Sequence, residues 1–410
     1  MRTWLIIIAA AIASCSSGGN GTDAKLTWSV AAADFNGDGY NDLAVSRTLA
    51  TSAPQKSWVE VLLQDSTSPG HYPTSVVYDI DTRVGRITNR DLISVGDINL
   101  DGAPDLVTSL EGGSQIAVLL NLGDGTFEPP LPLPTASLPV NTAIADLNND
   151  GKPDIVVGDT QLSWFPQDPE VSGELLDRQT LADLLGLPLR NSFVTTTDFN
   201  TDGRIDIVTA NYQLGIMLQA PPLADPPFTV ATYNLPDRAF GTVAADFDAT
   251  GVPDVAVVGG DWLRIYPGSA AVPGTLLQPD QYRACSCGAF PDEDYDCNDS
   301  VAAADLNQDS AIDIVVTGSD GYWYDTRSCL IVFLQTAVGS GKFVQGYRWF
   351  GPKQLEPWKF VTTADLDGDG LTDIALTGSD GLRLFRQDPA TAGNFMQPLL
   401  LLEDGDFSGW

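Results

Sequence analysis

Histidine is almost missing from this chain: one residue, His71, in 410. It lies outside any motif, so acid–base relays and nucleophile triads built on imidazole have next to no candidate. Nucleophile-elbow and zinc-protease signatures are missing too. A pair of carboxylates can cleave glycosides without histidine, but among 54 acidic residues no pair stands out. Positive charge is also scarce. With 21 basic residues against those 54 acids the net charge is −33, which argues against nucleic acid as a partner, because that binding depends on Lys and Arg neutralising phosphates. One long apolar run exists, Trp4–Ala13, and it is too short to span a bilayer.

What is present begins with a targeting segment. Residues 1–14 carry one arginine, Arg2, and then the apolar run, and Ile12-Ala13-Ser14 leads to Cys15. That is the layout of a secretory signal, and the cysteine after small residues resembles a bacterial lipobox, which implies lipidation of Cys15. Residues 15–25, with Ser16–Thr22 (SSGGNGT), read as a flexible tether, and residues 26–410 as one folded domain. With 43% hydrophobic residues, that domain can bury a substantial core.

Seven copies of one acidic loop run through it, each followed by an apolar strand-like stretch. They are DFNGDGYNDLAV from Asp34, DINLDGAPDLVT from Asp97, DLNNDGKPDIVV from Asp146, DFNTDGRIDIVT from Asp198, DFDATGVPDVAV from Asp246, DLNQDSAIDIVV from Asp305 and DLDGDGLTDIAL from Asp365. Carboxylates or carboxamides at positions one, three, five and nine, with glycine usually at six, offer hard oxygen ligands on a tight turn, as Ca²⁺ requires. Counting position seven for its main-chain carbonyl, the candidate ligands of the first copies are Asp34, Asn36, Asp38, Tyr40 and Asp42; Asp97, Asn99, Asp101, Ala103 and Asp105; Asp146, Asn148, Asp150, Lys152 and Asp154; and Asp198, Asn200, Asp202, Arg204 and Asp206. The later copies offer Asp246, Asp248 and Asp254; Asp305, Asn307, Asp309, Ala311 and Asp313; and Asp365, Asp367, Asp369, Leu371 and Asp373. The loops hold 22 of the 54 acids, so much of the charge is directed at metal. Seven Ca²⁺ would bring −33 to −19, and without them the packed carboxylates would repel one another.

The flanks separate this loop from other calcium motifs. An EF-hand needs Glu at position twelve and helices on either side; here that position is Val45, Thr108, Val157, Thr209, Val257, Val316 or Leu376. Dockerin-like and thrombospondin-type arrays are denser, whereas successive first ligands here lie 63, 49, 52, 48, 59 and 60 residues apart. That spacing fits a four-stranded propeller blade. Small and β-branched residues precede each loop, such as Val30–Ala33 and Val361–Ala364, and suit an innermost strand at a crowded axis. Further strands follow, such as Trp58–Gln64 and Gln115–Asn121, with a hairpin turn at Gly123–Phe127.

With these loops, the LLNLGDGTF of Leu119–Phe127 and the Phe240-Gly241 pair, the chain resembles the FG-GAP/VCBS-repeat β-propellers, a family that includes the head of integrin α subunits and many secreted bacterial proteins. The resemblance covers nearly the whole mature chain. It implies an all-β, seven-bladed propeller with calcium loops between the first and second strands of each four-stranded blade. Five copies are complete. The copy from Asp305 has Ser310 where a positive φ calls for glycine, and that from Asp246 has Thr250 at position five, which makes it the weakest; five to seven structural Ca²⁺ sites are expected. Whether the tail Phe395–Leu402 completes the last blade alone or Lys25–Val30 contributes a strand stays open.

In this topology the calcium loops share one face, and insertions gather on the other. Cys285, Cys287, Cys297 and Cys329 fall on that second face, and an even count in an exported protein favours disulfides over a Cys₄ zinc site. Cys285 and Cys287 are too close in sequence to bridge each other without strain, so one is expected to pair with Cys297 and the other with Cys329. The acidic run Asp292–Asp299 beside them reads as a solvated loop. Tyr322, Trp323, Tyr324, Trp349 and Trp358, with Phe350, form an aromatic set there, either a ligand platform or packing between blades. The function expected is a calcium-stabilised, lipid-anchored module of the bacterial cell envelope, periplasmic or on the cell surface, that binds a protein or glycan without catalysis. A polysaccharide-active lyase or glycosidase and a passive envelope scaffold are the alternatives.

Overall fold

The computed structural model describes residues 24–50, 56–81, 92–110, 113–181, 192–221, 227–285, 298–320, 327–353, 360–378 and 381–403. Among them run twenty-eight strands in seven four-stranded antiparallel sheets. Each sheet takes its strands in chain order, so every blade is an up-and-down meander. The innermost strands are Ala24–Ala33, Ile93–Gly96, Thr142–Ala145, Phe193–Thr197, Gly241–Ala245, Asn298–Ala304 and Val361–Ala364. All-β architecture, blade number and strand count agree with the sequence reading, and no helix among the described residues is long and apolar enough to cross a membrane.

The pattern of side chains explains the radial packing. Second and third strands are buried on both faces, so they read as continuous apolar runs rather than alternating ones. Successive residues then serve opposite neighbours: Ile155 and Val157 pack with blade two, while Val156 between them packs with blade four. Seven such clusters fill the seven interfaces. Position two of every acidic loop feeds this packing. Phe35, Ile98, Leu147, Phe199, Phe247, Leu306 and Leu366 are all at most 1% exposed, each lodged against the next blade.

Inner strands of neighbouring blades are joined by side chains near the axis. Ser94 Oγ donates to the Thr142 carbonyl at 2.6 Å, and the Asn141 carboxamide both donates to the Val194 carbonyl and accepts its N–H, each at 2.8 Å. Small and hydroxylic residues at these positions are thus both filler and connectors.

The ring closes without exchanging a strand. Leu399–Glu403 completes blade seven, and Ala24–Ala33 is the inner strand of blade one, so the tail alone finishes the last blade. The two blades meet through Val30, Leu43, Val45 and Leu62 on one side and Leu366, Ala375, Leu382 and Leu384 on the other.

Candidate metal centres

All seven acidic loops lie between the first and second strands of their blades and adopt one conformation. The position-one carboxylate draws the turn around itself, and its Oδ2 accepts the N–H of position six at 2.8–2.9 Å in every copy. Oδ1 accepts from position five in six copies, for example from Asp38 at 3.1 Å; in the Asp365 copy it accepts from Gly368 at 2.7 Å. Position six has positive φ throughout, including Ser310 at +68°, as expected for that residue. Position four is left-handed as well, from +53° at Ala249 to +73° at Gly368, a requirement that the varied residues there conceal.

Position nine has a second task. Asp42, Asp105, Asp154, Asp206, Asp254, Asp313 and Asp373 are at most 1% exposed. One oxygen accepts the N–H of loop position two, as from Phe35 at 2.9 Å. The other accepts an N–H from the end of the third strand, as from Gln64 at 2.7 Å. Burial, partly offset by these bonds, pushes the carboxyls up to about 6, and to about 7 for Asp154 and Asp373. The residue therefore ties loop to strand whether or not it also ligates metal.

A carboxamide at the end of the third strand completes the arrangement, and sequence reasoning missed it. Gln64, Asn121, Gln167, Gln219, Gln335 and Gln387 occupy this place, with Gly268 the exception in blade five. Gln167 Nε2 donates to the Pro153 carbonyl of its own loop and to the Ile98 carbonyl of the preceding blade's loop, at 2.9 and 2.7 Å. Asn121 reaches Phe35, and Gln387 reaches Leu306, in the same manner. The hairpin that follows lays a glycine on position three of the preceding loop: a Cβ on Gly173 would lie 2.9 Å from Asn99 Cβ, and one on Gly70 would lie 2.9 Å from Asp367 Cβ. Among the described residues, position three is packed in this way in six of the seven loops, while the loop tips stay exposed. The recurring Gln was the available signal, but at a strand end it reads as an ordinary polar residue.

Two copies bring three carboxylates within 4.8 Å of one another, Asp246 with Asp248 and Asp254, and Asp365 with Asp367 and Asp373. These are the copies with Asp rather than Asn at position three. The fifth copy, expected to be weakest because of Thr250, therefore retains a convergent acidic trio. In the seventh, Asp367 Oδ1 is buried and accepts no hydrogen bond, and burial together with the Asp369 charge raises its carboxyl. Arg386, 3.6 Å from the other oxygen, offsets this in part. A buried carboxylate oxygen facing two like charges fits a divalent cation. In blade four Arg204 already pairs with Asp202 of its own loop, so that carboxylate is partly neutralised within the chain.

The family model of the FG-GAP-like repeat matches residues 58–157 and 305–376, and that of the FG-GAP repeat matches residues 26–57. The chain belongs to the FG-GAP-repeat β-propellers. No curated protein matches it in sequence. Among solved structures, this FG-GAP propeller is similar to Sqt1 from Chaetomium thermophilum, with 13% identity over 93% of this chain and 87% of that one and a TM-score of 0.54. It is also similar to the periplasmic gluconolactonase PpgL of Pseudomonas aeruginosa, with 15% identity over 93% and 98% of the two chains and a TM-score of 0.50. The V. cholerae biofilm matrix protein Bap1 aligns at 12% identity over 94% and 82%, with a TM-score of 0.43. At such identities the likeness concerns the fold alone.

On the opposite face of the FG-GAP propeller, Cys285 and Cys329 form a disulfide with Cα atoms 6.0 Å apart. It joins the segment after blade five to the third strand of blade six. Trp349 belongs to the fourth strand of blade six, Phe343–Lys353, where its ring meets Phe385 of blade seven edge-on at 5.1 Å and lies under Arg383. Cys15, Cys287, Cys297, Tyr322, Trp323, Tyr324 and Trp358 lie outside the described residues. At the axis, a cavity of about 160 Å³ is lined from all seven blades by residues such as Ser29, Ser94, Asn141, Phe193, Thr242 and Phe360, with no ionisable side chain among them.

Proposed function

We propose that this FG-GAP propeller is a calcium-stabilised, non-catalytic binding module, held to a bacterial envelope by lipid on Cys15, whose non-calcium face takes a protein or glycan. The observation that carries the calcium reading is the buried, unpartnered Oδ1 of Asp367 beside the carboxylates of Asp365 and Asp373. In the same loop the main chain of Leu371 and the carboxylate of Asp369 complete a hard-oxygen donor set. Calcium would supply charge neutralisation only. The chain's own residues fix the turn, through Asp365 and Gly370, and hold it to the strands, through Asp373. Binding is assigned to the other face because the acidic loops are committed to one turn geometry, whereas the segments of variable length gather opposite.

Thermal melting in calcium and in chelator tests the reading. A single site adds about 2.7 kcal/mol when free ligand is 100-fold above its Kd. Several such sites should therefore separate the two melts by roughly ten degrees or more, and superimposable melts would sink the calcium assignment. Incorporation of labelled palmitate that disappears in Cys15→Ser tests the anchor. A glycan array compared with pull-down from crosslinked envelopes tests the binding role.

A further inference from the structure

The non-calcium face holds an arginine without a counter-ion. Arg238 lies in the link between blades four and five, and its guanidinium carbon stands 4.7 Å from the Phe240 ring centroid and 6.0 Å from that of Tyr212. Its Nε is buried and makes no hydrogen bond, and among the described residues no carboxylate pairs with it. The adjacent acid, Asp237, turns instead to Arg264. In a chain with 54 acids and 21 bases, this is not for want of carboxylates. A buried donor left unsatisfied needs a reason, and stacking on Phe240 offsets only part of its cost.

The site is held rigidly. Leu235 N–H donates to the Tyr212 carbonyl, Ala239 N–H to that of Asn211 and Phe240 N–H to that of Val258, at 3.1, 2.6 and 2.9 Å. Gly259 lets the link lie flat on blade five, since a Cβ there would stand 2.1 Å from the Arg238 carbonyl oxygen. Phe240 also lines the axial cavity, which puts Arg238 at its rim. Tyr212 is 51% exposed.

We propose that Arg238, seated on the buried Phe240, and Tyr212 form a binding site for a carboxylate-bearing sugar. The guanidinium fork matches a carboxylate with two parallel N–H donors, and the tyrosine ring offers a flat apolar face to the C–H side of a pyranose. One cation in the field of a −33 chain suits a monoanion better than a phosphate dianion. A peptide carboxylate is the rival that polyglutamate tests below, and the flat, half-exposed face of Tyr212 favours the sugar. The site rests on the binding-module reading and names its ligand.

The test uses the calcium-loaded protein, with galacturonate oligomers, neutral galactose oligomers and polyglutamate as probes in saturation-transfer NMR and calorimetry. The acidic sugar should bind at least tenfold tighter than the neutral one. Arg238→Gln should weaken it at least tenfold with an unchanged melt, because the arginine makes no ion pair to lose. Arg238→Lys, which keeps the charge but not the fork, should fall between the two, and Tyr212→Ala should weaken binding severalfold. Uronate that fails to bind, binds Arg238→Gln equally, or is displaced more readily by polyglutamate than by free galacturonate overturns the site. A chelator-insensitive melt would strike the calcium-stabilised module itself, so the two failures are distinguishable.

Discussion

Ser310 occupies a left-handed turn position that six glycines fill in the other loops, with φ at +68°. An L-residue pays roughly 1–2 kcal/mol for that conformation, so Ser310→Gly should stabilise the protein by about 1 kcal/mol once glycine's greater chain entropy is deducted. Gly39→Ala is the mirror experiment. A Cβ there meets nothing within 4 Å, so any loss of stability is conformational, and opposite shifts in denaturant midpoint for the two variants check the pair. The Ser310 strain was legible from the loop alignment. The left-handed requirement at position four was not, because Leu100, Asn149, Thr201, Ala249 and Gln308 accept it in five copies. The position-nine carboxylates give a pH prediction for the metal-free protein. Their folded values of about 6 to 7 exceed the ordinary 3.8, so folding takes up protons between those values. Stability in chelator should rise as pH falls from 8 to 5, while metal, which competes with protons, loses its advantage. The gap between calcium and chelator melts should therefore narrow on acidification; a gap constant over that range would refute it.

Within a blade, the carboxamide at the end of the third strand ties three segments together, its own acidic loop, the preceding blade's loop and the hairpin that follows. Gln167 is 1% exposed, bonds two carbonyls through Nε2 and accepts the Gly173 N–H at 3.0 Å. Gln167→Ala leaves these groups buried and unsatisfied, at a cost of about 1–3 kcal/mol for each group that water cannot reach. Denaturant unfolding should register the loss, and amide exchange should speed up in the hairpin around Gly173. Blade five supplies a natural contrast. Gly268 cannot be replaced by the missing glutamine, because its Cβ would stand 2.4 Å from the Pro253 carbonyl oxygen, so Gly268→Gln should destabilise rather than repair. Repeat spacing made the blades and their acidic loops legible, since each copy repeats the same turn with the same carboxylates. The latch escaped because its bonds run between blades, and no pattern within one repeat records what a neighbour contributes. Trp349 illustrates the same limit: its ring contacts Phe385, thirty-six residues further along.

At the scale of the ring, six blade interfaces are held by chain continuity and the seventh is not. Strand patterns could not reveal this, since both readings of the termini place β-forming residues at the seam. Closure there rests on the apolar contact of Val30, Leu43 and Leu62 with Leu366, Leu382 and Leu384 and on a small set of polar bonds. Asn41 Nδ2 donates to the Asp365 carbonyl and the Tyr72 hydroxyl to the Leu366 carbonyl, both at 2.9 Å, and Thr377 Oγ1 donates to the Trp28 carbonyl at 2.8 Å. Two of these three bonds end on the acidic loop of blade seven, the loop whose Asp367 oxygen is unpartnered. Metal there would fix the very carbonyls that blade one grips, so its loss should open the ring at this seam before elsewhere. Asp365→Asn and its mid-ring counterpart Asp146→Asn remove the same ligand from equivalent loops. In saturating calcium the former should raise amide exchange in Ala24–Ala33 and Leu399–Glu403 by tenfold or more, while the latter leaves those strands protected and loosens only its own blade and the next. Tyr72→Phe, which keeps the ring and deletes one seam bond, should move exchange in the same direction by a smaller factor. Equal effects of the two Asp variants on the terminal strands would mean that the seam is no weaker than any other interface.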